Sequence, residues 1–333
     1  MRWGSGRRVR VELVYGFGHS PLAYVSRRAR LRRMWGSEAL RLQLREAMRP
    51  HLPEHIELAV SGLSFGNPRA RRWWFRSWIR TRRPALFILL KHAGYRLLPH
   101  ELDALRRKAI AIGVDHNDAN PGNLDLGRFD FHVSASETGR RAIDALLDAM
   151  PAAAARPAAE VWHQTFDRRL EAVPSAAPDR LAPVYVGHPD NAAIPPALAD
   201  RITVLPVQRN EEMARAVPQM GRFNLHYAVR PYPGEGLARP CKPFTKGFNA
   251  AVCGANILVN RQVDDAVEFL GADYPYLLQG NGAAEVEAGF RKAEAEFGGP
   301  EWQRGLEIMR AVRARVSAPV LARDFAAMVD RLV

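Results

Sequence analysis

Residues 239–261 read RPCKPFTKGFNAAVCGANILVNR, and the fold turns on what this stretch becomes. A basic loop holding Pro240 and Pro243 runs into a small apolar segment, Ala250 to Val252, which stops at Gly254 and is followed by the apolar run Ile257 to Val259. Pro243 suits the first turn of a helix, where its missing amide proton would have no intrahelical partner. Loop, helix, glycine turn and buried strand is the order of half a nucleotide-binding α/β unit. Lys242, Thr245 and Lys246 then gather at the helix start, where free backbone N–H groups and the positive dipole end favour an anion. Two lysines at that end oppose the dipole unless an anion joins them, so the stretch reads as a diphosphate seat rather than a solvated basic loop.

Outward from it, strand and helix signals alternate. Ala182 to Gly187 reads as a strand ending in Gly187 and His188, followed by a strand over 201–207, a helix from Asn210 to Val217 and a strand over 223–228. A helix over 262–270, a strand over 274–278 and helices over 283–297, 301–316 and 320–332 complete this half. Upstream, 9–15, 56–60, 85–90, 109–114, 129–134 and 160–163 read as strands, with helices over 37–49, 99–108 and 136–150. The first strand enters GFGHS, residues 16–20, a Gly-rich turn without the full dinucleotide spacing.

The strand over 109–114 leads into VDHNDANPGN, residues 114–123, and ligands favour this edge of an open α/β sheet. Asp115, His116 and Asp118 either join a carboxylate to an imidazole for acid–base work or form an ordinary Asn/Asp/Gly turn. One histidine with scattered carboxylates is not a zinc pattern, and no metal site is expected. The Pro, Ala and Asp composition of 164–183 reads as an interdomain linker.

A chain of 333 residues exceeds one ordinary core and suggests two domains. With 47% hydrophobic and 25% charged residues it is neither disordered nor fibrous. No apolar run approaches the roughly 20 residues of a membrane span. Glu12 interrupts the apolar run behind the basic start, which argues against a secretory signal and for a cytoplasmic protein. Cys241 and Cys253 accordingly read as free thiols.

Charge is unevenly placed. Residues 1–110 carry 24 Lys+Arg against 7 Asp+Glu, whereas the remainder carries 24 against 28. A basic first third attracts nucleic acid, an anionic membrane leaflet or an acidic acceptor. Within it, 69–83 mixes seven arginines with Trp73, Trp74, Phe75, Trp78 and Ile79. As a helix it projects Trp74, Phe75 and Trp78 to one side. Two readings stay open: a crossover helix packing that face on the sheet, which a parallel sheet requires here, or an interfacial helix on an anionic membrane.

KPFTKGFNAAVCGANILVN, followed by VDDAVEFLGADYPYLLQ, resembles the C-terminal half of GT-B glycosyltransferases of the family 1 and 4 type, over roughly residues 180–295. The resemblance implies two Rossmann-like α/β domains facing across a cleft, with a C-terminal helix crossing back to the first. The expected boundaries are 1–165 for an acceptor domain, 180–297 for a nucleotide-sugar domain and 300–333 for the returning helices. It further implies that Lys242 and Lys246 neutralise the donor diphosphate, with Thr245, Arg230 and Asn249 on the same site and Gly187 and His188 bordering the nucleotide. His19, Asp115 and His116 would face the acceptor, one of them serving as base if the reaction inverts. Two departures stand out: no glutamate lies inside the 243–254 helix, Glu235 preceding it, and no Asp-x-Asp motif is present.

The expected activity is therefore transfer of a sugar from a nucleotide-diphosphate donor to an envelope polysaccharide, lipid-linked or protein acceptor. No cofactor or obligatory metal is expected, the donor being a substrate. The acceptor would be acidic or presented at the inner membrane face, with peripheral contact to anionic lipid. A nucleotide-sugar epimerase shares the architecture and is the alternative enzyme. A non-catalytic nucleic-acid-binding protein would use the basic third but leaves 239–261 without a role, so no nucleic-acid partner is expected.

Overall fold

The computed structural model describes residues 8–17, 37–66, 68–151, 156–175, 178–231 and 240–333. Contacts divide the chain into two units, 1–163 with 236–243 and 321–333, and 164–235 with 244–320.

The strands of the first unit are β1 (Val9–Phe17), β2 (Ile56–Ser64), β3 (Ala85–Leu90), β4 (Ala109–Asp115), β5 (Phe131–Ser134) and β6 (Ala158–Val161). They form one parallel sheet in the order β2–β1–β3–β4–β5–β6. A parallel sheet covered on both faces needs no polar alternation, and β3, ALFILL, is buried at every residue. Glu12 is buried within β1 and is neutralised by Arg82 and Arg10.

Helices α1 (Ser37–Met48), α2 (Pro68–Arg80), α3 (His92–Arg96), α4 (Pro99–Arg106) and α5 (Glu137–Asp148) connect these strands. The single turn α3 has too few residues to show an apolar period, which is why the sequence does not announce it. The crossover reading of α2 holds, with a different face inward. Phe75, Trp78 and Ile79 pack with Phe87, Leu89 and Val114, while Trp74 points outward. Positions 75, 78 and 79 are spaced i, i+3 and i+4, so they outcompete Trp74 for the inward stripe.

The second unit contains β7 (Pro183–Gly187), β8 (Thr203–Pro206), β9 (Leu225–Tyr227), β10 (Asn256–Asn260) and β11 (Leu277–Leu278). Its parallel sheet runs β11–β10–β9–β7–β8. Its helices are α6 (Asn210–Met220), α7 (Thr245–Val252), α8 (Ala266–Leu270), α9 (Ala283–Ala295), α10 (Pro300–Arg315) and α11 (Ala318–Leu332), the last passing into the first unit at Leu321. There Phe325 packs on Trp162, with ring centroids 4.7 Å apart.

Residues 164–173, in the expected interdomain linker, follow the boundary between the two units and pack into the second. Gln164, Thr165, Phe166, Asp167 and Leu170 are buried, the Thr165 hydroxyl donates to the Val316 carbonyl, and a 3-10 turn covers Arg168–Ala172. Phe166 and Leu170 supply enough apolar surface to pull the segment into the second core. Cys241 and Cys253 are both buried free thiols. Among the described residues, no helix is long and apolar enough to cross a membrane.

Candidate functional site

In the second sheet, β7 lies between β8 and β9, so the chain leaves β7 toward one edge and returns toward the other. Such a reversal opens a crevice at the carboxyl ends of the two strands where the order switches, the ligand position of open α/β sheets. Here those ends are Gly187–His188 after β7 and Ala228–Arg230 after β9.

Helix α7 aims at this edge. It begins at Thr245, two residues later than Pro243 suggests, because Phe244 is fixed in an aromatic cluster with Phe248 and Phe269. Phe244 takes the N-cap position, and its side chain has no acceptor for the first-turn amides. The helix stops at a Schellman turn. Gly254, at φ +70°, donates to Ala251 O at 3.2 Å, and Ala255 donates to Ala250 O at 3.0 Å. Gly254 thus ends α7 and turns the chain directly into β10, as the sequence reading of that glycine requires.

Lys246, in the first turn of α7, places its Nζ 4.1 Å from the centroid of the Tyr185 ring and donates to the Val186 carbonyl. Gly187 makes this possible. Its φ is +145°, and a Cβ there would sit 2.7 Å from Lys246 Nζ and 3.1 Å from Tyr185 Oη. Arg230 stands at the end of β9, its backbone N–H donating to Asn260 Oδ1 at 2.9 Å and its carbonyl accepting from Asn281 Nδ2 at 3.0 Å. Its Nε is buried without an acceptor among the described residues.

Electrostatics locate both cations at this edge. Burial pushes the Tyr185 phenol pKa up while the nearby Arg230 charge opposes it. Burial, with the Lys246 charge adding to it, pulls the His226 imidazole down to about 4. His188 is half-buried, and its Nδ1 accepts from the Asp190 N–H at 3.3 Å.

The remaining expected residues are distributed differently. Lys242 belongs to the first unit, next to Cys241, whose backbone pairs with Asp118 and Ala119. The later helix start leaves Lys246 alone of the two lysines inside α7. Asn249 is buried, and its Oδ1 accepts the Asp167 N–H at 2.9 Å.

In the first unit, Asp115 and His116 are buried at the end of β4. Asp115 accepts from Arg41 Nε at 2.7 Å and from the Asn117 N–H at 3.1 Å. His116 meets Tyr95 Oη at 2.7 Å through Nδ1 and His132 Nδ1 at 2.9 Å through Nε2. His132 Nε2 lies 3.1 Å from the Leu126 carbonyl, which only accepts. With both rings neutral, His132 donates to Leu126 and accepts from His116, whose Nδ1 then shares the single Tyr95 hydroxyl proton with the Asn120 carbonyl, 2.9 Å from Tyr95 Oη. Burial pulls His116 well below the ordinary histidine value and His132 down to about 4. The polar atoms of Asp115 and His116, expected as acid–base groups, are thus paired within the core of the first unit. His19 and Glu235 lie outside the described residues. Sequence reading missed Tyr185, which carries Lys246 on its ring face; a tyrosine inside a strand gives no signal of that contact.

Among the described residues no cluster of three or more His, Cys, Asp or Glu forms a metal-binding group. Neither a protein-family model nor a curated protein sequence matches the chain. Solved structures do. The lipopolysaccharide outer core galactosyltransferase WaaB superposes with a TM-score of 0.62 at 11% identity, covering 98% of this chain and 100% of its own. Sucrose-phosphate synthase from Thermosynechococcus elongatus gives 0.58 at 13% identity, covering 98% and 99%. Anabaena HepE, solved in complex with UDP, gives 0.56 at 11% identity, covering 97% and 100%. With two parallel sheets of Rossmann-like order and end-to-end superposition on these structures, the chain has the GT-B glycosyltransferase fold.

Proposed function

We propose that this chain is a glycosyltransferase moving a sugar from a nucleotide-diphosphate donor to an acceptor hydroxyl. The observation that carries the reading is Lys246, whose ammonium rests at the carboxyl edge of the switch point beside Gly187. In transfer, the bond between the anomeric carbon and the diphosphate oxygen breaks and its electron pair stays on the diphosphate. The acceptor oxygen bonds to the carbon, and its proton passes to the departing diphosphate oxygen or to solvent. Negative charge on the diphosphate grows along this path, so cations held in place lower the barrier. Lys246 and Arg230 supply that charge, Thr245 and the first-turn amides of α7 donate hydrogen bonds, and Gly187 and His188 border the nucleotide. With these charges in place, the reading needs no divalent ion.

HepE was solved with UDP, which makes UDP-sugars the first donor class to test. The acceptor is an envelope polysaccharide, a lipid-linked sugar or a protein, met in the cytoplasm or at the inner membrane face. The 24 basic against 7 acidic residues of the first 110 favour an acidic or membrane-borne one.

The test is a thermal-shift panel of UDP-, GDP-, ADP-, CMP- and dTDP-sugars run in EDTA. One nucleotide class should raise the midpoint, since a ligand that binds only the folded state stabilises it by mass action. Lys246→Met should keep the unliganded midpoint, lose the shift, and slow transfer by about 100-fold or more. No shift with any donor sinks the transferase reading; a shift and rate untouched by the substitution sink the diphosphate seat.

A further inference from the structure

We propose that the outward face of α2 docks the protein on an anionic lipid surface. The helix has two unlike sides. Phe75, Trp78 and Ile79 are spent on the core of the first unit. Away from that side, Arg72, Arg76 and Arg80 recur at every fourth residue and form one stripe along the helix, all exposed. Beside that stripe Trp73 and Trp74 are 64% and 42% exposed, and their rings meet edge to face with centroids 4.8 Å apart. Two adjacent exposed tryptophans are a cost in water that folding does not require, because the helix already has its inward aromatic anchor.

The charges point the same way. No acidic residue occurs between Pro68 and Pro84. Arg71 and Arg82 are neutralised by Glu101 and Glu12, while among the described residues no ion pair holds Arg72, Arg76, Arg80 or Arg83. The arginines at the two ends of the inward side are thus committed, and the outward ones are available to a partner.

A lipid headgroup layer matches this surface better than the other polyanions. Indole rings favour headgroup depth, with an apolar body toward the acyl chains and an N–H toward water. An arginine stripe parallel to the helix axis meets a plane of phosphates along its whole length, the geometry of an interfacial helix. Nucleic-acid binding uses aromatic faces open for base stacking, and here the edge of one ring is closed on the face of the other. The inference rests on this surface alone and stands or falls independently of the donor site.

The experiment is co-sedimentation with vesicles of phosphatidylcholine and with equimolar phosphatidylcholine–phosphatidylglycerol vesicles, at low and high salt. The protein should pellet with the mixed vesicles only, less at high salt, and its tryptophan emission should shift to the blue. Trp73→Ala/Trp74→Ala and Arg72→Glu/Arg76→Glu should each weaken binding about tenfold or more. Both should keep the wild-type circular dichroism and thermal midpoint, because neither touches the inward face. The proposal is overturned if wild type stays in the supernatant with mixed vesicles, or if both variants pellet as wild type does. Binding of a single-stranded oligonucleotide that the same substitutions abolish, with vesicles ignored, would assign the face to nucleic acid instead.

Discussion

At φ +145°, Gly187 holds a backbone conformation that L side chains disfavour, and the Lys246 ammonium occupies the space beside it. Replacing it with alanine strains the backbone and displaces Nζ from the Tyr185 ring. Gly187→Ala is therefore expected to cost about 1–3 kcal/mol of stability and to weaken donor binding more than a remote substitution of equal cost. Urea unfolding and the thermal shift with donor separate the two effects; donor affinity equal to wild type would detach Gly187 from the site. Gly187 and Lys246 were both legible in the sequence, one as the end of a strand and the other as the start of a helix. The resemblance puts both on one site, but their direct contact was not legible, since Lys246 and its acceptor Val186 are 60 residues apart. Asp115 teaches the converse. Its place at a strand end reads as chemical, but Arg41, 74 residues upstream, turns it into a buried ion pair.

Strands β4 and β5 set the histidine pair by register: Val114 lies opposite His132, which brings His116, two residues on, over the neighbouring ring. His132 and His226 each have a folded pKa of about 4, below the unfolded value of 6.5. Above that unfolded value both states are neutral and the stability is fully present. As pH falls from 6.5 toward 4, the unfolded chain takes up protons that the folded core refuses, and stability drops by roughly 1.4 kcal/mol per pH unit for each such histidine. The urea midpoint should decline across this window, and less steeply in His132→Asn than in wild type. A midpoint independent of pH there would mean that these rings are protonated in the fold. At the same scale α2 shows the reach of periodicity, which identified an amphipathic helix while tertiary packing selected which aromatic residues turned inward.

Over the whole molecule, each unit is a parallel sheet of its own, and the last segment belongs to the first. Phe325 is fully buried against Trp162, over which Arg41 stacks at 4.1 Å. Phe325→Ala should therefore destabilise the first unit by about 3–5 kcal/mol, from lost burial plus an unfilled cavity. Hydrogen exchange would show the loss in strands β4 to β6; protection unchanged there would detach the C-terminal segment from that core. By itself the sequence determined the parallel α/β class, the glycine that ends α7 and the concentration of positive charge in the first third. All three follow from local signals: apolar runs, turn residues and composition. Only the tertiary structure decided which charges are spent and which are exposed. Arg71 is paired and Arg72 is not; Lys246 meets Tyr185, while Asn249 serves the core. The reason is that a charge's partner is brought to it by chain closure over many tens of residues, and no spacing along the sequence records that.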